Sequence, residues 1–204
     1  MHPKEAKKER VGTGRYTQLS LSNSQIIVGD KFDESSLVYD LIKNPLHNCF
    51  LLYPGSLSIR INETLPENFI NSGKKNIIFI IDATWPCAKT LMRESTILHV
   101  LPRISFHLTA EIESKFEIKQ QPSKECLSTC ESTYWLLEFL NLQGVEECKN
   151  REHENLLTLL EKTCEFQKQC AANPELQRYR PGQFKQKTEK KPSIRWQSRK
   201  IYFE

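Results

Sequence analysis

"NIIFIIDATWPCAKTL", Asn76 to Leu91, runs almost wholly apolar through Ile81 and then stops on an acid. An apolar run of that length fits a central strand covered on both faces. Aspartate suits a strand interior poorly, so Asp82 marks the strand's end and is held there by rigid backbone. Helical spacing follows at once in PCAKTLMRE, 86–94, with Pro86 near the first turn. Asp82 or Thr84 can therefore serve as a helix cap. A cap does not explain why Trp85 follows at the same edge.

Short apolar, β-branched runs recur on either side: SQIIV (24–28), CFLLY (49–53) and ISFHL (104–108). Between them lie helically spaced segments such as SLVYDLIKN (36–44). That alternation predicts an α/β domain with a mainly parallel sheet and helices on both faces. Past residue 127 the pattern turns helical. Ser128-Thr129-Cys130-Glu131 has the S-x-x-E form of a capping box, and STYWLLEFL follows it. A second long helix is expected over roughly 149–170, with Leu156, Leu157, Leu159, Leu160 and Phe166 on its apolar side. Beyond Asn173-Pro174 the composition shifts to Arg, Lys, Gln and Pro with isolated aromatics, which need not pack. The expected organisation is one catalytic domain over 1–172 and a basic extension over 173–204.

A chain of 204 residues can bury a sizeable single core. No run approaches the apolar length of a membrane span, and the first residues, MHPKEAKKER, are charged. A cytoplasmic location is expected. The seven cysteines are odd in number and scattered, so free thiols are expected. The net charge of +4 is unevenly spread. Residues 1–15 hold five Lys/Arg and two Glu, and 171–204 hold nine Lys/Arg and three Glu, so the centre is net acidic. Basic ends on a mildly acidic body suit a polyanion gripped by the ends, or simply a solubilising tail.

Ligands of open α/β sheets bind beyond the carboxyl ends of the strands. Three stretches fall at such places. Leu52-Tyr53-Pro54-Gly55-Ser56 follows CFLLY, where Gly55 permits close backbone approach and Pro54 fixes a turn. Asp82-Ala83-Thr84-Trp85 is the second. The third is Cys126 to Glu131, where a capped helix start points N–H groups outward. The plain alternatives are an ordinary turn and two helix caps. G-x-G-x-x-G, G-x-x-x-x-G-K-[ST] and C-x-x-C are absent from the sequence, so those phosphate cradles and a structural zinc are not expected. His47, His99, His107 and His153 stand in unrelated contexts and read as packing or surface residues.

Together these stretches resemble the DTW-domain family, named for its D-x-T-W motif. The matching positions are HPKE at 2–5, TGR at 13–15, LLYPG at 51–55, DATW at 82–85 with Lys89 after it, LP at 101–102, QP at 121–122 and LSTCE at 127–131. Gly12 stands where Asn is common before TGR, and Lys119 where Arg is expected near QP; lysine offers a point charge and arginine a planar fork. Many relatives carry a cysteine-rich segment ahead of HPKE that has no counterpart in these 204 residues, so no metal is expected.

The resemblance implies a SPOUT-like fold with a C-terminal knot and an aminocarboxypropyltransferase acting on uridine in transfer RNA. S-adenosylmethionine would be the donor substrate. Its sulfonium activates three carbons, and the pocket decides which one faces the nucleophile. Asp82 would be the general base for the uridine N3 proton, or orient the imide. Thr84 would orient Asp82 or bond the donor, and Trp85 would stack on adenine or uracil, or else lie in the core beneath the loop. Leu52, Tyr53, Pro54, Gly55, Leu101, Pro102, Leu127, Ser128 and Thr129 would surround the adenosine. Glu131 reads either as the capping-box partner or as a ligand of the donor's amino group or ribose. Lys89 would contact RNA or the donor carboxylate, or be a solvated helix residue. RNA phosphates would meet His2, Lys4, Arg10 and Arg15 at one end, and Arg178, Arg180, Lys185, Arg195 and Arg199 at the other, interleaved with Tyr179, Phe184 and Trp196. Partners would be transfer RNA and no membrane, with a monomer the simplest state. The same family features leave room for ribosomal RNA as substrate, for methyl transfer, or for RNA binding without catalysis.

Overall fold

His47–Leu52 (HNCFLL) is the strand on which the sheet is built, flanked on both sides by parallel neighbours. The computed structural model describes residues 1–8, 12–70, 73–107, 114–116 and 126–173. Helices α1 (Pro3–Lys8), α2 (Thr13–Ser20) and α3 (Ser36–Lys43) precede this strand, β1. Then come β2 (Ile59–Arg60), α4 (Glu67–Ile70), β3 (Lys75–Ile80), α5 (Trp85–Glu94), β4 (Arg103–Ser105), α6 (Thr129–Leu142) and α7 (Asn155–Ala172). Spatial order in the sheet is β2-β4-β1-β3, with every pairing parallel. The α/β class and the parallel sheet follow the alternation of runs in the sequence.

Helices cover both faces, because alternate residues of β1 and β3 feed two different cores. Leu51 joins Phe32, Val38, Leu91, Met92, Leu98 and Leu101 on the side of α3 and α5, with Phe79 and Ile81 packed against them. Phe50 joins Ile61, Phe69, Ile104, Leu136 and Leu140 on the side of α6, with Ile78 and Ile80 against them. Burying side chains of this size stabilises by about 2 kcal/mol each. A third cluster, Cys130, Tyr134, Leu156, Leu160 and Cys164, joins α6 to α7.

Four expectations are corrected. NIIFII is not central: β3 is an edge strand, and its residues past Lys75 are only half-buried. Its apolar run reflects two covered faces, and an open edge is compatible with that. SQIIV forms no ladder. It runs extended beside the first residues, where the Gly29 N–H donates to the Met1 carbonyl at 3.1 Å while Ile27 packs on the Phe32 cluster. Its apolar side chains require burial and need no strand partner. The two-residue β2 was too short to register as a period-two pattern. The helix expected over 149–170 is broken at its start: Asn150 and Arg151 adopt φ of 50° and 54°, and α7 begins only at Asn155. Arg151 sits there to bond both Glu138 and Glu154, at 3.1 Å and 2.6 Å. Phe166 is 63% exposed and lies off the apolar face.

Candidate active site

β1 and β3 end level, Leu52 beside Ile80, so the chain leaves both strands at one edge. The turn at Tyr53–Gly55 and the turn at Asp82–Thr84 therefore open side by side at the sheet's carboxyl end.

Asp82 does not cap α5. Thr84 takes the N-cap position of that helix without a side-chain cap bond, and Pro86 occupies the first turn. The Asp82 carboxylate instead points across to the start of α6, where Thr129 Oγ1 donates to its Oδ1 at 2.7 Å. On another side lies α2. A Cβ built on Gly14 would fall 2.4 Å from Asp82 Cγ and 2.5 Å from Oδ2, so only glycine leaves room for the acid there. The backbone carbonyl of Asp82 accepts from the His2 N–H at 3.0 Å. Three segments far apart in sequence, at 2, 14 and 129, thus converge on Asp82. Oδ1 is anchored; Oδ2 has no donor among the described residues. A half-buried carboxylate held in that way can accept a proton or a hydrogen bond from a ligand at the sheet edge.

Aromatic rings wall the neighbouring turn. Trp85 and Tyr53 lie 6.4 Å apart at 55°. The Arg103 guanidinium sits 5.7 Å from the Tyr53 ring centroid, within cation–π range. Burial pushes the Tyr53 phenol up, and the Arg103 charge works against that rise.

The α6 start is a full capping box. Ser128 Oγ accepts from the Glu131 N–H at 3.3 Å, and Glu131 Oε2 accepts from the Ser128 N–H at 2.8 Å. Glu131, 2% exposed, also accepts from the Lys115 N–H at 2.6 Å and from Ser114 Oγ at 3.0 Å and 3.1 Å. Its oxygens are engaged within the protein. Cys130, one position before, is pushed up to about 12 by burial and donates to the Leu156 carbonyl at 3.2 Å. It is a packed thiol and no nucleophile.

The structure brings Tyr53, Pro54, Gly55, Asp82, Thr84 and Trp85 to one edge, continuing Leu52, with Ser128 and Thr129 facing them across the Asp82 bond. Leu127, half-buried, precedes the cap. Leu101 is buried in the core on the α5 side, and the Pro102 carbonyl accepts from the Leu51 N–H at 3.0 Å, so this pair leads into β4 from behind the edge. His2 is buried, its Nδ1 accepting from the Lys4 N–H at 3.1 Å, while Lys4 itself is exposed. Arg15 Nη2 donates to the Ala6 carbonyl at 3.1 Å, tying α2 to α1. Lys89 is exposed on α5. Arg10, Arg178, Arg180, Lys185, Arg195 and Arg199 lie outside the described residues, as does the aromatic-interleaved tail.

Sequence reasoning missed two residues. Gly14 could have been found from glycine's poor fit to a helix's first turn, which signals a close approach. Arg103 directly follows the Leu101-Pro102 pair but carried no signal of its own. Among the described residues no three His, Cys, Asp or Glu side chains cluster to hold a metal ion, and no helix is long and apolar enough to cross a membrane.

Comparison with known proteins agrees on one family. The DTW domain profile matches residues 1–168. Over 122 residues the chain is 30% identical to a protein of Macaca fascicularis named tRNA-uridine aminocarboxypropyltransferase 2, covering 60% of this chain and 37% of that protein. A protein of the same name from Drosophila melanogaster is 29% identical over 171 residues, 81% of this chain and 62% of its own length. The chain thus matches little more than a third of the first relative and under two thirds of the second. No solved structure matches it significantly.

Proposed function

The chain belongs to the DTW-domain family, and from that premise we propose that it is a tRNA-uridine aminocarboxypropyltransferase. It transfers the 3-amino-3-carboxypropyl group of S-adenosylmethionine to N3 of a uridine in transfer RNA, in the cytoplasm. The products are 3-(3-amino-3-carboxypropyl)uridine and 5′-methylthioadenosine. The observation that carries this reading is the convergence of the HPKE, TGR, DATW and LSTCE segments on Asp82.

Uridine N3 is a poor nucleophile until its proton leaves. Asp82 Oδ2 takes that proton while Thr129 holds Oδ1 and Gly14, lacking a side chain, leaves the carboxylate room at this position. The N3–Cγ bond forms as the Cγ–sulfur bond breaks, and its electron pair returns to sulfur, leaving a neutral thioether. Positioning decides the outcome: the turns at Leu52–Gly55 and Leu127–Thr129 hold the donor so that Cγ, and not the methyl group, faces N3. Trp85 and Tyr53 supply a flat wall for a base. Glu131 acts indirectly, by clamping the 114–116 segment to the α6 cap. Leu101 likewise acts from the core, beneath the turn. The SPOUT-like knot belongs to the same reading, as do the exposed Lys4 and Lys89 and the basic extension over 173–204 as RNA contacts, because a target uridine must be unpaired for N3 to be reached and its flanking phosphates need cations.

The test is incubation with bulk transfer RNA and labelled donor, followed by nucleoside mass analysis. The expected result is the aminocarboxypropyl adduct on uridine with methylthioadenosine released. S-adenosylhomocysteine with a methylated nucleoside, or no RNA product, contradicts it.

A further inference from the structure

Arg103 is the first residue of β4, level with Leu51 in the register, and β4 alternates so that Ile104 faces the α6 core. Arg103 therefore lies on the opposite face, that of Leu51 and Tyr53. The guanidinium packs 5.7 Å from the centroid of the Tyr53 ring. Its Nη1 lies 3.4 Å from where a Cβ on Gly55 would stand, so the guanidinium edge adjoins the turn at Gly55. Among the described residues no carboxylate or carbonyl accepts from it. A half-buried arginine beside an aromatic ring, with no acidic partner among the described residues, is available to an anionic ligand.

We propose that Arg103 binds the α-carboxylate of the donor's amino-acid arm, with Tyr53 and the Gly55 turn beside its guanidinium. This inference rests on the donor assigned under the proposed function. Two observations favour that carboxylate over an RNA phosphate. The residue is recessed at the start of β4, level with Leu51 and behind the strand ends, while the exposed Lys4 and Lys89 offer point charges at the surface. And β3, which ends at Ile80 two residues before Asp82, is separated from β4 by β1 alone, so the two strands lie roughly 10 Å apart at the usual strand spacing. An amino-acid arm bonded at one end to Arg103 places its reacting carbon toward Asp82. Arg103 thereby helps choose the carbon attacked, since anchoring the carboxylate orients the whole arm.

Calorimetric titration of the full chain with S-adenosylmethionine and with 5′-methylthioadenosine, which lacks the arm, tests this. The wild type is expected to bind the first more tightly. Arg103→Met should weaken S-adenosylmethionine roughly ten- to hundredfold and leave methylthioadenosine unchanged, while Arg103→Lys recovers part of the loss. If Arg103→Met keeps the wild-type preference, the proposal is overturned although the donor reading stands. If both ligands weaken equally in Arg103→Met and Arg103→Lys, the residue is a packing element and the proposal also falls. A wild type that binds neither compound removes the donor reading itself.

Discussion

Two carboxylates flank the start of α6, and the protein treats them in opposite ways. Glu131 is almost wholly buried and takes hydrogen bonds from Ser114, Lys115 and Ser128. Asp82 is half-buried and takes one from a side chain, that of Thr129. A buried acid must be satisfied internally, because leaving it unpaired costs several kcal/mol. An acid that is to meet a ligand must keep a lone pair and a path to it. On the proposed reading, saturation marks the structural acid and incompleteness the chemical one. Glu138 belongs with Glu131: His153 Nε2 lies 2.6 Å from its Oε2 and Arg151 donates to its Oε1 at 3.1 Å.

The sharpest way to break this contrast is to neutralise each acid in turn. Asp82→Asn keeps the Thr129 bond but removes the proton acceptor, so turnover should fall by about 10²- to 10⁴-fold while donor affinity and melting temperature hold. Single-turnover kinetics beside calorimetry checks it; a turnover near wild type removes Asp82 from the reaction. Gly14→Ala comes next. The added methyl would displace the carboxylate, and a shift of an ångström is expected to cost roughly a hundredfold in rate. Because alanine favours the helix by about 1 kcal/mol, α2 should remain folded. Unchanged kinetics would mean that Asp82 has another working position.

Glu131→Gln should do the reverse. Denaturant titration is expected to show a loss of about 1–3 kcal/mol, since a carboxylate acceptor is lost to backbone N–H groups, while donor affinity of the folded protein persists. A large kinetic effect without loss of stability would make Glu131 a ligand after all. The smallest expected effect is at Glu138. Burial pushes its carboxyl up, but the bonds and charges of His153 and Arg151 outweigh that and hold it below the usual glutamate range. A depressed folded value means that its stabilisation is present above that ordinary value and is lost as pH falls through the folded one. Glu138→Gln should therefore flatten the acid limb of the stability-against-pH curve; an unaltered limb contradicts the assignment.

Much of this contrast was legible in the sequence. An acid ending an apolar run located Asp82 at a strand terminus, and S-x-x-E located the α6 cap, because both are local rules. What was not legible depends on partners distant in the chain. Nothing near Ile80 shows that β3 has a neighbour on one side only, and nothing near Gly14 shows that a carboxylate from residue 82 fills the space its missing side chain leaves. The bonds Glu131 takes from Ser114 and Lys115 likewise lie beyond the reach of helical periodicity. Arg151 broke an expected helix for bonds to Glu138 that no local preference predicts.

A crystal structure with S-adenosylhomocysteine, an unreactive relative of the proposed donor, tests the central claim most directly. The account predicts its adenosine between the Leu52–Gly55 and Leu127–Thr129 turns, its carboxylate on Arg103 and its arm carbon facing Asp82. Density for the ligand elsewhere, with Asp82 touching none of it, would contradict that claim.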